Sequence, residues 1–206
     1  FGGVITSSPF EAFARYEAAN GLPKDFIRSI NATDPDTNAW ARFERSEIDA
    51  ASFDTAFLTE AEARGHSVRG ADVLALLAGD IRPEMVAVLR FLISAGYKIG
   101  CITNNVKTGS GAGMARSVGK AAAVEEVMAL FSHVIESSKV GIRKPDPEIY
   151  KMACTALDVA PARAVFLDDL GVNLKPARAL GMATIKVTGA QQAIAELAEL
   201  LGHPLD

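Results

Sequence analysis

Cysteine is scarce in this chain: two occur in 206 residues, Cys101 and Cys154, each inside an apolar stretch. They give no disulfide framework, and a reduced chain is the better reading. His66, His133 and His203 are scattered without ligand spacing and read as structural or surface residues. Positive charge is not in excess either. With 21 Lys and Arg against 25 Asp and Glu, the net charge is −4, which gives no basic footprint for nucleic acid or for an anionic membrane. No apolar run reaches the roughly 18 residues of a membrane span. No basic segment followed by an apolar run marks a signal peptide. The localisation expected by default is cytoplasmic. An initiator methionine is missing as well. The chain opens on Phe1-Gly2-Gly3-Val4-Ile5, so its natural N-terminus is expected to have been processed, truncated or left out.

What remains is an ordinary globular composition, 49% hydrophobic and 22% charged, long enough to bury a core. From about Ile81 onward, helical and strand patterns alternate. Helices are expected over 83–94, 124–131, 146–157, 173–180 and 190–201. Short apolar strands are expected over 97–103, 133–136, 164–167 and 183–187. This alternation predicts an α/β fold: a three-layer, Rossmann-like parallel sheet covered by helices on both faces. The first third differs. After a short strand near Gly3 to Thr6, residues 10–79 show helical periodicity alone, which reads as a helical cap inserted after the first strand. The expected division is therefore 1–9 with 80–206 as the core and 10–79 as the cap. Trp40, Phe43, Phe53 and Phe57 read as cap core. The stretch Gly109-Ser110-Gly111-Ala112-Gly113 is the most flexible in composition.

Open parallel sheets place their ligands beyond the carboxyl ends of the strands. Three polar clusters fall there: Thr103-Asn104-Asn105, Arg143-Lys144-Pro145 and Asp168-Asp169. Taken singly, each has a plain structural explanation, since Asp-Asp caps helices and Lys144 or Thr103 decorates a surface. Together they hold what phosphoryl transfer requires. Paired carboxylates repel each other until a divalent cation intervenes, and oxygen-only ligands suit Mg²⁺. A fixed ammonium stabilises charge on the transferring oxygens, and hydroxyl and amide groups hold them. Arg42, Arg45 and Lys107 are weaker candidates for contact with a substrate anion.

Cys101-Ile102-Thr103-Asn104, Lys144-Pro145-Asp146-Pro147 and Phe166-Leu167-Asp168-Asp169 resemble, in order, the second, third and fourth motifs of the haloacid dehalogenase superfamily. Phe1-Gly2-Gly3-Val4 resembles the first motif, entered just after its nucleophilic aspartate. The longer runs VGIRKPDPEIYKMACTALDVAP and VFLDDLGVNLKPARALGMATIKV are similar to the epoxide hydrolase N-terminal domain-like phosphatases and to N-terminal domains of acyl-CoA dehydrogenase family member 10. The resemblance covers nearly the whole chain, with the cap more loosely matched. It implies a Mg²⁺-dependent phosphomonoester hydrolase acting through an aspartyl-phosphate, with a small-molecule phosphate ester as its partner. Thr103 and Asn104 would bind phosphate, and Lys144 would stabilise phosphate and nucleophile. Asp169, Asp168 and the backbone carbonyl of Gly2 would hold the metal, supported by Asn173.

Two departures stand out. The nucleophilic Asp, expected just before Phe1, is absent from the chain. Gly2 stands where the superfamily's phosphatases usually carry an acidic proton donor. A non-catalytic regulatory or interaction module on the same fold is therefore an alternative reading, favoured by Gly2. A 2-haloacid dehalogenase-type hydrolase is another, disfavoured by the paired acids, which that metal-free chemistry does not need.

Overall fold

The computed structural model describes residues 1–77, 79–105 and 118–205; Lys107 and the Gly109–Gly113 stretch lie outside the described residues. In the first third the chain is helical: α1 (Pro9–Ala19), α2 (Phe26–Ala32), α3 (Ala39–Glu44), α4 (Ala50–Glu62) and α5 (Gly70–Ala75). Asn38 and Asp49 start α3 and α4 by accepting the amides of Ala41 and Ser52 on their side chains, which satisfies donors that the first turn leaves free. The apolar faces of these helices meet in one cluster around Phe13, Ile27, Phe43, Phe53, Phe57 and Val73. Phe53 lies at its centre, fully buried, stacked on Phe43 with ring centroids 4.7 Å apart and edge-on to Trp40.

The remainder alternates as the apolar pattern predicts. Helix α6 (Pro83–Ser94) leads to β1 (Gly100–Thr103), α7 (Val118–Met128) and β2 (His133–Glu136). Then come α8 (Ser137–Val140), α9 (Pro147–Leu157), β3 (Val165–Asp168), α10 (Gly171–Ala179), β4 (Ala183–Lys186) and α11 (Ala190–Leu201). The strands are parallel and pair two by two, β1 with β2 and β3 with β4. Side chains alternate across β3. Val165 and Leu167 join the cluster under α6 and α11, whereas Phe166 packs with Tyr150 of α9 and Ala177 of α10. This alternation covers the strands with helices on both faces.

The short strand expected near Gly3 to Thr6 is not formed. The carbonyl of Phe1 instead accepts the amides of Val4, Ile5 and Thr6 at 3.2, 2.8 and 3.4 Å, which folds the segment into a turn. Gly3 adopts φ +76°, a left-handed conformation that breaks an extended run and that glycine adopts without penalty. Thr6 retains a single antiparallel bridge to Ile81. Around it, the Ser7 amide donates to Asp80 O at 2.8 Å and the Arg82 amide to Ile5 O at 2.9 Å. The two chain passages that connect the helical block to the rest thus run side by side.

Replacing Phe53 with Ala removes a fully buried ring from a closely packed cluster. A loss of roughly 3–5 kcal/mol in unfolding free energy is expected, measured by urea titration of wild type and variant. A loss below about 1 kcal/mol would contradict the central place given to this ring.

Candidate functional site

The polar groups singled out in the sequence meet at the carboxyl ends of β1 and β3. Asp168 ends β3 and is almost fully buried. A bare carboxylate there would be costly, and each of its oxygens is occupied. Lys144 Nζ donates to Oδ2 at 2.7 Å, while the Leu170 amide and Asn173 Nδ2 both donate to Oδ1 at 2.9 Å. Asn173 is itself buried on α10, one turn from the strand end, and its carbonyl accepts the Tyr150 hydroxyl at 2.7 Å. Burial, with the Asp168 charge adding to it, raises the Tyr150 phenol well above its ordinary value, so it stays a neutral donor.

Lys144 is equally buried and is held from both ends. Its ammonium is fixed by Asp168, and its backbone is clamped by Asn104. Asn104 Oδ1 accepts the Lys144 amide at 2.8 Å, and Nδ2 donates to the Lys144 carbonyl at 3.0 Å. The Asn104 side chain is therefore spent on the lysine loop. Thr103 ends β1 beside it, half-buried and in register with Glu136 of β2.

Asp169 is placed differently from its neighbour. Ser8 Oγ donates to Oδ2 at 3.1 Å. Burial raises the carboxyl above the usual carboxylate range, and the Asp168 charge raises it further. The carboxyl lies directly against Gly3: a Cβ on that glycine would fall 2.2 Å from Asp169 Cγ. Close approach and left-handed backbone both require glycine at this point. A Cβ on Gly2, by contrast, would meet nothing within 4 Å.

The donor set suits a hard cation. Among the described residues no group of three or more His, Cys, Asp and Glu side chains is gathered to hold a metal. A cation here would rest on few carboxylates, completed by main-chain carbonyls and water, which is how Mg²⁺ is held. Burial, and after it the Asp168 charge, raises the Asp169 carboxyl, and a cation would relieve both.

Three contributors escaped sequence reading. Ser8 precedes Pro9, a pattern that marks a helix cap, yet its hydroxyl turns to Asp169 and makes no cap bond. Arg82 Nη1 donates to Gly3 O at 3.1 Å and lies 3.5 Å from Val4 O, tying down the turn that carries Gly2. Glu44, at the end of α3, reaches across to Arg143, with Oε2 2.6 Å from Arg143 Nε. Only the Ser-Pro pair left a local signal, and it pointed to capping. Arg42 is exposed, and Arg45 is engaged by Glu47 at 2.6 Å and by the Asp36 carbonyl. His66 packs edge-on against Phe26, and His203 bonds the Tyr97 hydroxyl, which are structural roles.

Comparison with known proteins gives a consistent picture. The chain is 34% identical over 99% of its length to acyl-CoA dehydrogenase family member 10 of Mus musculus, and 33% identical over 94% to bifunctional epoxide hydrolase 2 of Sus scrofa. It spans 19% and 36% of those two proteins. A HAD family enzyme of Bacteroides thetaiotaomicron, solved with magnesium and inorganic phosphate, superposes with a TM-score of 0.52 at 18% identity, over 88% of this chain and 85% of that one. The family model for haloacid dehalogenase-like hydrolases matches residues 3–181, and the chain belongs to that family.

Proposed function

We propose that this protein is a Mg²⁺-dependent phosphomonoester hydrolase working through an aspartyl-phosphate on an Asp that directly precedes Phe1 in the full-length protein. The observation that carries this reading is the gathering of three charged groups at the strand tips: Lys144 Nζ lies 2.7 Å from Asp168 Oδ2, and the Asp169 carboxyl lies directly against Gly3.

The chain's own groups then have distinct tasks. Lys144, locked by Asp168 and Asn104, supplies fixed positive charge toward the nucleophile and the phosphoryl oxygens. The Thr103 hydroxyl and the Asn104 main chain hold phosphate oxygens at the tip of β1. Asp169 and the Gly2 carbonyl hold Mg²⁺, with Asp168 beside them and Asn173 keeping Asp168 oriented. When bound, Mg²⁺ shields phosphate charge and orients the group for attack. Gly2 brings no carboxyl to protonate the leaving group, so the reading favours small phosphate esters whose leaving group departs easily or takes its proton from water. Residues 10–79 act as a cap over this site, and 1–9 with 80–206 form the catalytic core. Among the described residues no helix is long and apolar enough to cross a membrane. Both thiols are free and buried, which supports a cytoplasmic setting.

The full-length protein should hydrolyse p-nitrophenyl phosphate with Mg²⁺ and lose that activity in excess EDTA. Lys144→Arg keeps the charge that Asp168 needs but displaces it, and should lower kcat by roughly 10²-fold or more. Silence of the Mg²⁺-loaded wild type on a panel of small phosphate esters would move the reading to a non-catalytic module.

Metal binding has its own readout. Millimolar Mg²⁺ should raise the Tm of the full-length protein, because a ligand that binds only the folded state stabilises it. Asp169→Asn should abolish that rise. A shift of equal size in the variant would remove Asp169 from the metal site.

A further inference from the structure

Glu44 is a buried carboxylate for which the proposed chemistry has no use. It ends α3 in the helical cap, yet its side chain, 7% exposed, points into the core. One oxygen, Oε2, lies 2.6 Å from Arg143 Nε and 3.4 Å from Asn104 Nδ2. These are the two residues that flank and hold Lys144. Arg143 precedes it in the chain, and Asn104 clamps its backbone through both amide and carbonyl. Arg143 reaches the cap a second time, donating from Nη1 to Pro35 O at 2.7 Å. The Glu44 carbonyl accepts the Ser137 hydroxyl at 3.0 Å, and that hydroxyl also meets Asn105, the next residue along the β1 loop. Burial pushes the Glu44 carboxyl up, against the opposing pull of Arg143. Such a pair is stable only while its partners stay in place.

We propose that Glu44 is a positioning residue that couples closure of the cap to the placement of Lys144. The inference rests on the phosphatase reading for its catalytic consequence, though its structural half stands without it. With the cap seated, Glu44 Oε2 braces Arg143 and Asn104 together, and the lysine loop is held at the distance from Asp168 seen here. With the cap displaced, Arg143 and Asn104 lose that brace, and the lysine is held only by Asp168 and the Asn104 clamp. A misplacement of the order of 1 Å at a catalytic group lowers rate far more than it weakens binding.

The test compares the full-length wild type with Glu44→Gln, Arg143→Gln and the double variant, and with Ser46→Ala as a control. Ser46 also bridges cap and core, donating to Ser138 O at 3.2 Å, but touches neither flank of Lys144. Two measurements are made: kcat and KM on p-nitrophenyl phosphate with Mg²⁺, and hydrogen exchange of peptides covering 35–46 and 137–145. Each single Gln variant should lower kcat roughly tenfold with little change in KM. The double variant should be no worse than the worse single, because one interaction is being removed twice. Exchange should rise in both peptides for the Gln variants, and Ser46→Ala should leave kcat unchanged. Multiplicative losses in the double, or faster exchange in 35–46 with 137–145 unchanged, would overturn the coupling. Should the wild type not turn over, the phosphatase reading fails and exchange alone decides this one. Should Glu44→Gln not fold, Arg143→Gln carries the same exchange comparison from the other side of the pair.

Discussion

The site is organised around one buried ion pair, Lys144 with Asp168, 2.7 Å apart and nearly shut off from water. Neither charge could be buried alone at acceptable cost. The pair survives because each member has further support: Asp168 accepts two more donors, and the lysine backbone is clamped by Asn104. Its consequence reaches across the fold. It joins the loop after α8 to the tip of β3, and through Asn104 it takes in the tip of β1. Two separately paired sets of strands thus share a single polar seam.

That seam carries an uneven charge. Lys144 compensates Asp168, which leaves Asp169 as the carboxyl raised by burial and by its neighbour. Two adjacent carboxyls carry a repulsion that a cation between them would remove. Gly3 permits the arrangement, since any side chain there would collide with the carboxyl. Arg82, anchored at the second passage into the helical block, fixes the carbonyls just beyond Gly2. The same short stretch of backbone therefore lies against the Asp169 carboxyl and is held by Arg82.

The helical block has its own aromatic core, independent of the strands. Polar contacts join it to the rest: Glu44 to Arg143, Ser46 to Ser138 and Arg143 to Pro35. Polar contacts across a seam can open and re-form at less cost than an interdigitated apolar interface, and they depend on alignment. The proposed coupling of Glu44 to Lys144 draws on contacts of this kind.

The order of elements after Ile81, the parallel pairing and the gathering of Thr103, Lys144, Asp168 and Asp169 at the strand tips were legible in the sequence. Apolar period and strand-end polarity are local properties that burial on two faces imposes directly. The helical nature of 10–79 was legible for the same reason. The turn at Phe1–Thr6 was not. Val4 and Ile5 read as strand, but three amides converging on the Phe1 carbonyl and the left-handed Gly3 decided otherwise. Nor could the sequence say that the Asn104 side chain holds a lysine backbone 40 residues away, that Ser8 serves Asp169, or that Glu44 reaches Arg143. Residue type and spacing determined which chemistry the chain can carry. Tertiary structure decided which donor meets which acceptor, because long-range hydrogen bonds leave no period in the sequence and are set only when separate elements pack.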